Sequence, residues 1–164
     1  MVRAARLSRL RHLARRFAGS LSRRGPAAED EAWALGLLVE GERALWHRMS
    51  GADRRHAVAV ARRLGDRPRE VLAAGLLHDV GKIESGLGTV ARVGATVAGA
   101  AGGRARWRGR LGAYLRHDEI GAGLLTAAGS HPLTVAWARE HHLPPERWTV
   151  PRVVGDALKT ADDD

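Results

Sequence analysis

Cysteine is absent from this chain, which removes disulfide frameworks, thiolate metal sites and cysteine nucleophiles together. Aromatic residues are scarce at 4%, and no convincing stretch alternates apolar with polar, so a strand-built fold has little to start from. No run approaches the ~18 consecutive apolar residues that a membrane-spanning helix requires. Lysine occurs only at Lys82 and Lys159, so arginine supplies nearly all the positive charge. The remaining composition is that of one globular domain: 164 residues, 45% hydrophobic and 27% charged, which excludes a disordered or collagen-like chain.

The net charge of +9 is unevenly spread. Residues 1–24 hold eight arginines and no acid, and residues 25–164 are close to neutral. Within the basic segment Leu7, Leu10, Ala14, Phe17 and Leu21 recur at helical steps, so residues 1–25 read as a basic amphipathic helix ahead of a domain spanning 26–164. Such a helix suits an anionic membrane surface or an acidic partner, or is a surface helix without a ligand. Nucleic acid is disfavoured, because basic and aromatic residues do not interleave as they do on stacking platforms. Arginines interrupt every apolar stretch that could serve as a secretory signal. The chain is therefore expected in the cytoplasm, peripheral to a membrane at most.

From Pro26 onward a helical pattern, a Gly or Pro stop and another helical pattern follow one another, so the predicted fold is all-α. One helix is predicted from near Pro26 through Trp33 and Leu37 towards Trp46, with Glu29, Asp30 and Glu31 complementing its dipole. Another covers His56–Leu64. Glu70–Val80 is almost continuously apolar and is expected to close at Gly81. Residues 84–113, rich in Gly and Ala, read as an insertion. The helix from His117 should stop at Gly129, Ser130 and Pro132 should start the next as cap and first-turn residue, and a last helix should begin near Pro151.

Several of the eight histidines share a setting. His56, His78, His117 and His141 each lie at or near the end of an apolar helical pattern, and Asp79 follows His78 in the most apolar segment. Burying an imidazole and a carboxylate costs several kcal/mol unless they are paired or bind a metal. Imidazoles and carboxylates without thiolates suit Fe, Mn, Zn, Co or Ni. Five or six such ligands exceed one catalytic ion with an open position. A bridging aspartate suits two ions about 3.5–4 Å apart, which can share a hydroxide nucleophile and neutralise charge on a phosphoryl group.

The string Leu76-Leu77-His78-Asp79-Val80-Gly81-Lys82-Ile83 resembles the core motif of the HD superfamily of metal-dependent phosphohydrolases. Other matches follow in order. His56 fits the first histidine. The stretch from His117 to Ala122 and the run Arg139-Glu140-His141-His142 resemble the histidine segments of the binuclear branches, among them cyclic-di-GMP phosphodiesterases and diadenosine-tetraphosphate hydrolases. Leu158-Lys159-Thr160-Ala161-Asp162 resembles the closing Leu-x-x-Ala-Asp. Together they cover roughly residues 50–164.

The resemblance implies an HD-type helical bundle in which His56, His78, Asp79 and Asp162 hold one divalent transition metal, Fe or Mn foremost. Asp79 bridges to a second ion on His117 and His141, with His142 beside them, and Lys82 faces the substrate phosphate. The implied activity is hydrolysis of a small phosphorylated or nucleotide-like ester or diester. The alternative is a non-catalytic metal-binding signalling or docking module of the same fold. The Gly-Tyr-Pro element of the cyclic-di-GMP branch is missing, and Ala52 cannot supply the extra carboxylate of three-metal members. His12, His47 and His131 match nothing and are expected at the surface.

Overall fold

A computed structural model describes residues 24–85 and 109–163; the basic N-terminal segment and residues 86–108 lie outside these. The described residues form eight α-helices and no strand, so the fold is all-α as expected. In chain order they are α1 (Ala28–Leu37), α2 (Glu40–Arg48), α3 (Gly51–Arg63), α4 (Arg69–Leu77), α5 (Gly109–Leu115), α6 (His117–Ala127), α7 (Pro132–Glu140) and α8 (Arg152–Asp163), with 3-10 turns at Val80–Ser85 and Pro145–Arg147. Among the described residues no helix is long and apolar enough to cross a membrane.

The helix α4 is the axis of the fold. Every residue from Val71 to Leu77 is buried. Ala73, Leu76 and Leu77 join a core with Trp46, Val80 and Leu125, while Val71, Leu72 and Ala74 join a second with Val60, Trp137 and Leu158. Each large apolar side chain so placed contributes about 1.5–3 kcal/mol. An apolar run without a polar stripe thus makes a helix wrapped on all sides, and whatever follows it begins in the interior.

The single helix expected from Pro26 to Trp46 is two. Leu38 and Val39 are extended, and the Val39 N–H donates to Glu42 Oε2 at 3.0 Å. Glu42 also accepts from Arg69 at 2.7 Å, a tertiary contact with no local sign. Ser50 caps α3 by accepting the Asp53 N–H at 3.1 Å, and Gly65 (φ +67°) ends it. The cap of α7 is His131, whose Nδ1 accepts the Leu133 N–H at 3.2 Å, not Ser130.

Gly81 does not close α4. The α-helix ends at Leu77, and the chain passes through Gly81 as a 3-10 turn to Ser85. A Cβ on Gly81 would stand 1.9 Å from the His117 carbonyl oxygen and 2.6 Å from the Gly121 nitrogen. The glycine therefore lets two backbones touch, and this contact lays α6 against the end of α4.

Candidate metal centre

Three helix ends converge in the interior. His78 is the C-cap of α4 and His141 of α7, while His117 opens α6 just after α5 ends. Each donates its Nδ1–H to a backbone carbonyl three residues earlier: His78 to Gly75 at 2.9 Å, His117 to Tyr114 at 2.7 Å and His141 to Ala138 at 3.0 Å. A carbonyl can only accept, so these bonds keep a proton on Nδ1 and turn Nε2 towards the centre. They also satisfy carbonyls left over at helix C-termini. The same bonds that end the helices orient the imidazoles.

The three Nε2 atoms surround Asp79, and its two oxygens face different groups. Oδ2 lies 3.5 Å from His78 Nε2 and pairs with Lys82 Nζ. Oδ1 lies 3.4 Å from His117 Nε2 and 3.8 Å from His141 Nε2. His142, exposed at the rim, brings its Nε2 within 3.1 Å of His117 Nε2. On the other side Asp162, from the last turn of α8, accepts from His56 Nε2 at 2.9 Å and stands 3.7 Å from His78 Nε2. Two groups result, Asp79 with His117, His141 and His142, and His56 with His78 and Asp162; within each, the candidate ligand atoms lie within 4.8 Å of one another.

The electrostatics follow from burial. Desolvation pushes the His141 imidazole down to about 2, with His78 and His142 adding to it, so it stays neutral. His142 is pushed down to about 4, by desolvation first and then by His117. Burial would raise both carboxyls. At Asp79 the Lys82 ammonium, His78 and His117 overcome it and hold the group well below its ordinary value; at Asp162 the His56 hydrogen bond and His78 do the same. The carboxylate Asp79 outweighs desolvation at Lys82 and raises its ammonium.

The residues fit a cation. His141 Nε2 is buried without a hydrogen-bond partner and faces Asp79 Oδ1 beyond hydrogen-bonding reach, an arrangement that costs about 1–3 kcal/mol if left unmet. His141 and His142 are neutral and Asp79 and Asp162 ionised, the forms that ligate.

All eight candidate residues of the sequence analysis stand in this cluster: His56, His78, Asp79, Lys82, His117, His141, His142 and Asp162. Asp156 and Asp163, similar in sequence, point elsewhere, towards Arg152 and Lys159. His47 and His131 are exposed, and His12 lies outside the described residues. Tyr114 had been missed. It lies one residue past the stretch read as an insertion, where its carbonyl orients His117 and its ring stacks on that imidazole at 5.7 Å between centroids, 27° from parallel. A histidine placed just past a helix end is the sequence sign that the residue three before it has such a role.

A family model described as HD domain matches residues 55–163, about two thirds of the chain. Searches of curated proteins and of solved structures returned no match.

Proposed function

Since the chain belongs to the HD domain family, a superfamily of metal-dependent phosphohydrolases, we propose that it hydrolyses a phosphate ester or phosphodiester of nucleotide-like chemistry at a two-cation centre. The division of Asp79 carries this reading: Oδ2 turns to His78, and Oδ1 to His117 and His141. His56, His78, Asp162 and Asp79 Oδ2 would hold one ion, and Asp79 Oδ1, His117, His141 and His142 the other, with Fe or Mn foremost as the family resemblance implies among the metals this donor set suits. Such ions supply an activated water and neutralise charge on a phosphoryl group.

The chain's own residues do the rest. Carbonyl bonds fix three imidazoles before any ligand arrives, so little ordering is left for binding. Lys82 is 18% exposed beside Asp79, and its flexible stem lets the ammonium reach a phosphate oxygen. The Tyr114 ring backs His117 from the α5 side. The basic segment 1–24 is proposed to dock the domain on an anionic membrane surface.

Protein produced with manganese and iron supplements should contain two ions per chain and hydrolyse bis(4-nitrophenyl) phosphate, a nucleotide or a cyclic dinucleotide. Asp79→Ala should lose metal and activity. Lys82→Ala should keep metal and lose about 100-fold in rate, as when one charge-stabilising donor is removed. Protein without stoichiometric metal would sink this reading. Full metal loading with no turnover of any of these substrates would favour the non-catalytic docking module instead.

A further inference from the structure

Glu140 has no part in the chemistry above, although it directly precedes His141 and His142. It is buried, at 6% exposure, and among the described residues no cation pairs with it. Its carboxylate is held by three neutral donors from the loop before α8: Oε2 accepts the Thr149 N–H at 2.7 Å and the Val150 N–H at 3.4 Å, and Oε1 accepts the Thr149 hydroxyl at 2.6 Å. The neighbouring Trp148 indole donates to the carbonyls of Glu140 at 3.1 Å and Leu143 at 3.0 Å. Its ring meets Trp137 edge-on at 5.3 Å. A buried carboxylate is costly unless satisfied, so its use here ties this loop firmly to the end of α7.

The Trp148 ring also receives α8. A Cβ on Gly155 would stand 2.4 and 2.7 Å from the Trp148 ring, so only glycine lets the helix lie at this depth. Gly155, Leu158 and Ala161 form the buried face of α8. Asp162 follows immediately, seven residues and about 10 Å along the axis from Gly155. Its oxygen must meet His56 at 2.9 Å and stand 3.7 Å from His78. A shift of α8 at Gly155 therefore carries to a group with little positional tolerance.

We propose that Glu140, Trp148 and Gly155 form a strut between the two halves of the centre, which positions Asp162 and so decides whether the His56, His78 and Asp162 half is assembled. The proposal rests on the two-cation reading. Glu140 and Gly155 are positioning residues: they touch no ligand position and act through the seat of α8.

The test uses the full chain and manganese alone. The wild type should bind two Mn ions with a spin-coupled electron paramagnetic resonance signal. Glu140→Ala and Gly155→Ala should weaken one site about 10–100-fold and convert the signal to that of an isolated ion. Glu140→Gln, able to keep bonds to the Thr149 N–H and hydroxyl, should restore both. A role in stability alone would lower the unfolding midpoint and leave two coupled ions, and that result would overturn the proposal. Wild-type protein that takes up no manganese overturns the two-cation reading, and the strut's function with it. A measurement that leaves the strut itself intact is amide exchange at Thr149 and Val150. Linkage requires manganese to slow it in the wild type and to slow it less in Asp162→Ala; equal slowing in both would also overturn the proposal.

Discussion

Replacing Gly81 with alanine places a Cβ 1.9 Å from the His117 carbonyl oxygen, 2.6 Å from the Gly121 nitrogen and 2.8 Å from the His117 carbonyl carbon. All three are backbone atoms of α6, and none can swing aside as a side-chain tip would. Restoring ordinary contact requires the 3-10 turn and α6 to separate by about 1.5 Å. The His117 Nε2 to Asp79 Oδ1 distance, now 3.4 Å, would open by a comparable amount and leave a gap that one cation cannot span. Overpacking of this kind costs about 1–3 kcal/mol, and the rigid neighbours put Gly81→Ala at the upper end, a fall in Tm of roughly 5–10 °C for a chain this long. Gly121→Ala is the control, because its Cβ would meet its nearest neighbour at 3.1 Å, so a small adjustment suffices. Thermal unfolding with and without manganese, together with metal content, reads both effects. Gly81→Ala should lose stability and the ion at His117 and His141, while Gly121→Ala keeps most of each. A Gly81→Ala protein as stable and as fully loaded as the wild type would refute the claim that this backbone contact assembles the centre.

In cation-free protein, His141 binds no proton until about pH 2, whereas in the unfolded chain it titrates near 6.5. The unfolded state therefore holds more protons between these values, and stability rises with pH by about 1.4 kcal/mol per unit for this one group, reaching its full value above pH 6.5. Asp79 and Asp162, both held low, add a dependence of the same sign below about pH 4. Urea midpoints in EDTA should fall from pH 7 to pH 5, and a flat profile contradicts the burial argument. For the basic segment, deleting residues 1–24 should abolish salt-sensitive binding to anionic vesicles and leave metal content unchanged; co-sedimentation that survives the deletion would remove the docking role from that segment.

Helix ends and their histidines were legible because they rest on local rules. A run such as Val71–Leu77 has no polar face and is expected to be enclosed, so the pair His78 and Asp79 at its end needs partners inside. The break at Leu38–Val39 was not legible: Gly36 and Gly41 flank it but both lie inside helices, and the break is held by Glu42, which Arg69 from α4 draws in. Ser130 looked like the better cap by type, yet His131 takes the position because Pro132 opens the helix one residue later. The stretch read as an insertion ends in α5, whose Tyr114 shapes His117, a role that appears only once the two are neighbours in space. Asp162 could not be told from Asp156 and Asp163 by sequence spacing without the resemblance. The turn of α8 separates them, pointing Asp162 at His56 and the others at the exposed side chains of Arg152 and Lys159.

By itself the sequence determined the helical class, the enclosure of α4 and the ligand types, since each depends on residues a few positions apart and on what burial costs a polar group. Only the tertiary structure decided which Asp79 oxygen faces which histidines, that Gly81 is a contact and not a stop, and that Asp162 is seated through Trp148 and Gly155. Those outcomes depend on distances between helices far apart in the chain, set by packing of whole faces and by backbone approaches that no local pattern encodes.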